Sequence, residues 1–453
     1  MSDAESETSR RPVIAITTRS MYRVAGLLLS ASAVRYAGQL VLLVLIARLL
    51  DPAALGTYTV ALAICAPVYI VAGFGIRTVY LTLRTAIPWR SYERFLASSL
   101  VLAYAVVVLI AAVVSPAIAR VLLAVAAIRT MELLIDLYDA MLQRAGRPGM
   151  IVAVRAASAV VQVLAVAAVL PAGGSLPVAL WVSSAVCACS LLCFARPVAA
   201  RATRAAGAVH SHGGGAAREW ALILTAGLPT GVAVGMITLL STVPQYLLAL
   251  GGEVADAGRF AILLYIIVAA EMLLNALAQS WIPHARTLYA ASRLTARTVA
   301  ATAARWVLIV APIGMVGIAA ASVVLPMVLG PGYALTVATA APLVLAVVVV
   351  PGVFAADTAI VVHNRYATSL VISVGALGLG VTLGLALVAA GLFTLTAALW
   401  TFAATMTARL VGGCVVLRAV PGARTGTVAV PAPDAQTTAS TRRAQPWHED
   451  PTR

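Results

Sequence analysis

The feature that most constrains this chain is a succession of long apolar segments separated by short, punctuated connectors. A helix needs about 20 mainly apolar residues to cross the hydrocarbon core of a membrane. Such segments fall at 24–47, 53–76, 95–115, 117–140, 150–170, 177–195, 220–248, 256–283, 303–329, 335–356, 367–390 and 392–417. The breaks include Asp51-Pro52, Ser115-Pro116, Gly146-Arg147-Pro148-Gly149, Pro171-Ala172-Gly173-Gly174 and Gly330-Pro331-Gly332, residue types that end helices and begin new ones. The connectors are too short to hold a soluble catalytic domain. Composition agrees, with 62% of the 453 residues hydrophobic and 10% charged, against about a quarter charged in soluble domains. The expected fold class is an all-α polytopic membrane protein with about 12 transmembrane helices. A soluble enzyme, a secreted disulfide scaffold and a disordered chain are excluded.

The few charged residues carry a topological signal. The formal net charge is +15, and every basic residue is Arg; the absence of Lys beside so much Ala and Val is the codon signature of a GC-rich genome. With the N-terminus in the cytoplasm, the loops on that side gather Arg77, Arg84, Arg90, Arg94, Arg144, Arg147, Arg196, Arg201, Arg204 and Arg218. The same side then takes Arg286, Arg293, Arg297, Arg305, Arg365 and Arg418, whereas the opposite loops hold Arg48, Arg120 and Arg259. By the positive-inside rule both termini are expected in the cytoplasm of a multi-pass plasma-membrane protein. The basic excess therefore does not point to nucleic acid.

The organisation expected is a polar cytoplasmic tail over 1–20, a six-helix bundle over 21–196, a cytoplasmic linker over 197–218, a second six-helix bundle over 219–418 and a disordered tail over 419–453. No signal-peptide core precedes the first span, which then directs insertion itself. His210 and His212 lie in the Gly-rich linker and read as solvated rather than metal-bound. Cys187, Cys189 and Cys193 read as packing residues of the sixth span.

The two halves resemble each other. The stretch Ile46-Ala47-Arg48-Leu49-Leu50-Asp51-Pro52-Ala53-Ala54-Leu55-Gly56-Thr57-Tyr58 recurs 202 residues later, from Leu248 to Phe260. Acid (Asp51, Glu253), glycine (Gly56, Gly258) and aromatic (Tyr58, Phe260) fall in register. A repeat of six spans is even, so both copies enter the membrane in the same direction. They are then expected to be related by a pseudo-two-fold axis along the membrane normal, with substrate between them near the midplane.

The run ARLLDPAALGTYTVALAI followed by GFGI resembles the start of the oligosaccharide flippases of the polysaccharide-biosynthesis type. These belong to the multidrug/oligosaccharidyl-lipid/polysaccharide (MOP) exporter superfamily. The tract YDAMLQRAGRP, the Gly-Leu-Pro opening at 227–229, the Gly258-x-Phe260 turn and Pro283 are similar to that family as well. The resemblance implies two six-helix bundles, V-shaped around a central cavity. It also implies movement of a polyprenyl-pyrophosphate-linked saccharide from the inner to the outer leaflet. The partners implied are the lipid bilayer, that lipid-linked saccharide and other polysaccharide-assembly membrane proteins.

Charged groups within the membrane are costly, about 3 kcal/mol each on insertion scales, and usually functional. Ser32, Arg35 and Gln39 share one face of the first span. A guanidinium matches a pyrophosphate in charge and geometry, which makes Arg35 the leading substrate ligand, with an ion pair to a neighbouring span as the alternative. In the fourth span Arg129, Glu132, Asp136 and Asp139 form a stripe. Arg129 is, with Gln39, a further substrate-binding candidate; part of the stripe is self-neutralised if Arg129 pairs with Glu132, which still leaves carboxylates uncompensated. Glu132 or Asp136 is then a proton or Na⁺ coupling site, and Asp139 is expected to be solvated at the interface. Glu271, Asn275 and Gln279 share a face of the eighth span, with Glu271 expected to face the cavity; amides bind sugar hydroxyls or a neighbouring helix equally well. Asp357 is a further coupling candidate, or pairs with His363 or Arg365. Gln162 and Gln245 are candidates of the same kind.

No nucleotide-binding loop or HExxH motif is present, so ATP-driven pumping and zinc proteolysis find no support. No organic cofactor, metal or catalytic residue is expected. Besides a flippase, the sequence admits a multidrug–cation antiporter of the same superfamily, a membrane glycosyltransferase or saccharide polymerase, or a scaffold that does not transport.

Overall fold

The computed structural model describes residues 18–83, 87–205, 215–363 and 365–419. The expected tails up to residue 17 and from 420, and the linker segment 206–214 with His210 and His212, lie outside the described residues. Within them the chain folds into helices with no strand. The first half gives α1 (Thr18–Leu49), α2 (Pro52–Gly73), α3 (Ile76–Thr82), α4 (Trp89–Ala111), α5 (Pro116–Arg144), α6 (Pro148–Val169), α7 (Leu176–Ser190) and α8 (Arg196–Ala205). The second gives α9 (Ala216–Leu250), α10 (Val254–Ala290), α11 (Ala296–Leu329), α12 (Val337–Val362), α13 (Tyr366–Ala389) and α14 (Leu395–Ala419).

The punctuation read in the sequence sets these boundaries. Asp51 caps α2, its carboxylate accepting from the Ala54 amide at 2.6 Å, and Pro52 follows at the first helical position, where its missing N–H costs nothing. Pro116 and Pro148 open α5 and α6 in the same way. Phe74 and Gly75 both take left-handed backbone, which ends α2 and lets α3 restart in a new direction.

Eleven stretches are long and apolar enough to cross a membrane by length and composition. The helix α5 completes the twelve expected, with 29 residues, or about 44 Å of rise. Its charges exclude it on composition, and Arg129, Glu132, Asp136 and Asp139 are all in ion pairs within the bundle. The expected linker is shorter than its sequence implied. Residues 197–205 continue from α7 as α8, through a π-helical turn at Leu191–Ala195, because Ala199 and Ala202 bury against the bundle. Residues 18–20 are likewise helical rather than tail.

Two apolar cores mark the two bundles. One is built by α1 to α8, around residues such as Leu43, Leu96, Leu122 and Ile151. The other is built by α9 to α14, around Phe260, Leu274, Val347 and Phe402. Along their seam the cores exchange residues: Val60 of α2 sits in the second core, and Ile223 of α9, Ile262 of α10 and Tyr333 sit in the first. Gly56 and Gly258, at matching positions of the repeat, meet at that seam. A Cβ on Gly56 would lie 1.8 Å from the Val254 carbonyl oxygen, and one on Gly258 would lie 2.9 Å from the Gly56 amide. Close backbone approach at small residues is how membrane helices associate without a hydrophobic drive. Further along α2, a Cβ on Gly227 of α9 would meet the Phe74 carbonyl at 2.4 Å, so the seam is tight there too.

This contact makes a clean prediction. Gly56→Ala cannot be absorbed by a flexible side chain and must part the bundles, at a cost of about 1–3 kcal/mol or more. Gly378→Ala, which meets nothing within 4 Å, serves as the neutral control. Thermal melts in detergent should separate the two variants, and equal melting temperatures would show that the seam is not tight.

Candidate functional site

The polar residues of the first bundle converge on a cavity lined by α1, α2, α5 and α6. Arg35 and Gln39 reach it from α1, Arg129 and Glu132 from α5, and Arg155, Ser158 and Gln162 from α6. It has room for a few waters. The resemblance placed the cavity between the bundles. This arginine-lined site is a separate one, inside the first bundle.

The charges are organised by α5. Arg129 donates to Glu132 at 2.6 Å, one turn away on the same helix, the self-neutralisation expected from their spacing. Turned so that its amide oxygen faces the guanidinium, Gln39 accepts from Arg129 at 2.6 Å. Arg155 bridges the other two acids. Its Nε donates to Asp139 at 2.7 Å and its Nη2 to Asp136. Arg35 approaches Asp136 from α1 at 3.9 Å, with its side chain 36% exposed. Its guanidinium also sits 5.0 Å from the ring centre of Tyr36.

Two expectations are corrected here. The acids of α5 are not left uncompensated: Arg35, Arg129 and Arg155 face Glu132, Asp136 and Asp139, three cations against three anions. Asp139 is not solvated either, being 1% exposed because Arg155 reaches it from α6. Arg155 was missed. A lone Arg in an apolar span shows no pattern on its own helix, since its partners are on another. The cost of an intramembrane charge was the signal that could have found it, applied to the fifth span as it was to the first.

A second charged cluster lies in the other bundle. Asp357 of α12 pairs with Arg409 of α14 at 2.5 Å and accepts from Ser369 of α13 at 3.3 Å. The expected partners His363 and Arg365 are not used. Six residues along a helix is about 9 Å of rise and 240° of turn, which points His363 away. Its Nδ1 contacts the Ala359 carbonyl at 2.7 Å, and Arg365 is exposed. Arg409, also missed, is 5% exposed with an unpartnered Nε. Glu271 is half-buried in the same bundle, in the field of Arg409, and does not line the arginine cavity. Asn275 and Gln279 are exposed, and Asn275 returns to the Glu271 carbonyl of its own helix at 3.0 Å. The structure thus brings together Arg35, Gln39, Arg129, Glu132 and Asp136, and keeps Glu271, Asn275, Gln279 and Asp357 apart from them. Gln245 is buried in α9.

The first cluster can bind oxyanions. Arg35 has donors to spare, and Ser158, 6% exposed, carries a hydroxyl with no partner on the cavity wall. Among the described residues no group of three His, Cys, Asp or Glu is placed to hold a metal ion.

No protein-family model matches the chain, and no curated protein matches it in sequence. Solved structures match it in fold. An inward-facing multidrug resistance MATE family transporter of the MOP superfamily is similar with a TM-score of 0.60 and 13% identity, over 85% of this chain and 94% of that chain. A MOP superfamily transporter from Pyrococcus furiosus gives 0.54 and 12%, over 88% and 94%. A MATE transporter from Vibrio cholerae gives 0.56 and 14%, over 89% and 98%. At such identities the shared property is the fold: this chain is a multi-pass membrane protein with the architecture of the MOP-superfamily transporters.

Proposed function

We propose that the protein is a transporter that moves a polyprenyl-pyrophosphate-linked saccharide from the inner to the outer leaflet of the plasma membrane by alternating access. The observation that carries this reading is Arg35, a partly exposed guanidinium on the wall of a membrane-embedded cavity, held by its nearest acid only at 3.9 Å. It can give charge-assisted bonds to a diphosphate. The polyprenyl tail stays in lipid, and Asn275 and Gln279 are exposed amides for sugar hydroxyls. The Arg-rich loops and both termini are then cytoplasmic. Coupling to a proton or Na⁺ gradient would act at Glu132, Asp136 or Asp357, each of which must first part from Arg129, Arg155 or Arg409.

The competing reading, a multidrug–cation antiporter, draws on the multidrug transporters among the structural neighbours. A drug cation would meet three arginines as well as the three acids they pair with, and the loosely held, partly exposed group is a cation, Arg35. For the Pyrococcus furiosus neighbour, reversed polarity of the binding pocket suggests a different function, and the same logic favours an anionic substrate for this chain.

Proteoliposomes test the choice. The protein should flip a labelled lipid-linked saccharide and leave a cationic dye such as rhodamine 6G where it is. Dye movement without saccharide flipping would overturn the reading in favour of the antiporter.

A further inference from the structure

A charge-balanced site poses a problem for an anionic substrate. With three cations already facing three anions, a phosphate can enter only if one carboxylate gives way. The three are not equivalent. Glu132 is bound one turn away on its own helix at 2.6 Å, a pairing that costs no contact between helices to maintain. Asp139 is 1% exposed and holds the Nε edge of Arg155 at 2.7 Å. Asp136 is the more exposed partner, with 23% of its side chain accessible, and it is shared between Arg155 and the distant Arg35.

We infer that Asp136 is an internal counter-anion that holds the place of a substrate phosphate, and that Asp139 is a positioning residue which keeps Arg155 aimed when Asp136 is displaced. The site so defined takes a diphosphate, whose oxygens replace the Asp136 carboxylate between Arg35 and Arg155. A second, independent feature lies on the cavity wall that Arg35 and Arg155 also line. Ser158 stands one turn beyond Arg155 on α6, nine-tenths buried, with an unpartnered hydroxyl on the cavity wall. A buried hydroxyl without a partner is costly, and a bound phosphate oxygen would accept from it. This inference rests on the proposed phosphate-binding reading and extends it to a ligand exchange between neighbouring acids of opposite effect.

The two acids give the inference its test, because they lie one turn apart on α5 and must respond in opposite directions. Inorganic pyrophosphate is titrated into the full-length protein in detergent, with thermal melts to confirm that each variant is folded. Asp136→Asn and Asp136→Ser remove the competing charge and should bind about tenfold more tightly than the unaltered protein. Asp136→Glu keeps the charge and should not bind more tightly. Asp139→Asn, Ser158→Ala and Arg35→Ala should each weaken binding several-fold. A parallel titration with farnesyl diphosphate in lipid nanodiscs identifies the source of the ligand: tighter binding than pyrophosphate assigns a lipid-borne diphosphate, weaker binding a free one.

The inference is overturned if Asp136→Asn and Asp136→Ser bind no more tightly than the unaltered protein. Should Arg35→Ala still weaken binding in that case, the phosphate-binding reading stands and only the place-holder role is lost. If no form binds pyrophosphate, both fall together.

Discussion

Replacing Arg155 by Leu should destabilise the first bundle more than any other single change at the site. Arg155 is 7% exposed and is the shared partner of Asp136 and Asp139. Without it Asp139 is a buried carboxylate left only with the field of Arg77, and Asp136 keeps only the distant Arg35. Breaking a buried ion pair from one side costs about 3–5 kcal/mol, because the charge left behind loses its partner without regaining water. In thermal melts this should appear as a fall of several degrees, or as loss of monodisperse protein from detergent. The cause is testable by rescue. If stranded charge is responsible, Arg155→Leu combined with Asp136→Asn and Asp139→Asn should recover most of the loss, since amides need no counter-charge. Arg155→Leu melting with the unaltered protein would mean that the acids of α5 find other partners. A triple variant no better than the single one would assign the loss to packing.

That network also shows how far the sequence could be read. The helices were legible because a membrane forces each span into a long apolar run, and Pro, Gly and Asp mark the ends. The register of the repeat was legible for the same reason: Gly56 and Gly258 each stand five residues after an acid at the N-cap position, Asp51 and Glu253, although only Asp51 caps through its side chain. The span at 117–140 was legible as an apolar run, and α5 fills it although its charges exclude it on composition. Pairing between helices was another matter. Arg129 with Glu132 could be read because both lie on one helix, three residues apart. Arg155 with Asp139, and Arg409 with Asp357, join residues whose separation carries no period, and only packing brings them together. The same limit explains the place of the cavity. Helix faces could be assigned from spacing, but whether α1 turns its polar face toward α5 or toward the other bundle depends on which helices touch. Gly38 decides it, since a Cβ there would lie 2.8 Å from the Ala159 Cβ, bringing α1 against α6 and Arg35 beside Asp136.

The second large effect is expected at Arg35 and on transport rather than stability. Its side chain is 36% exposed and its nearest acid is 3.9 Å away, a separation at which partly solvated pairs contribute at most about 1 kcal/mol. Asp136 keeps Arg155 when Arg35 is removed. Arg35→Ala should therefore fold and melt within a few degrees of the unaltered protein, while losing the donors that meet the substrate diphosphate. A charge-assisted, two-pronged contact of that kind is worth about tenfold or more in binding. Arg35→Lys should restore part of the activity, as a point charge without the planar fork.

The most direct measurement is the rate at which a labelled polyprenyl-pyrophosphate-linked saccharide crosses the bilayer of proteoliposomes holding equal amounts of unaltered or Arg35→Ala protein. The arginine cavity as diphosphate site predicts rapid flipping by the unaltered protein and a rate lower by about tenfold or more for the variant, at matched thermal stability. Equal rates for the two would contradict it.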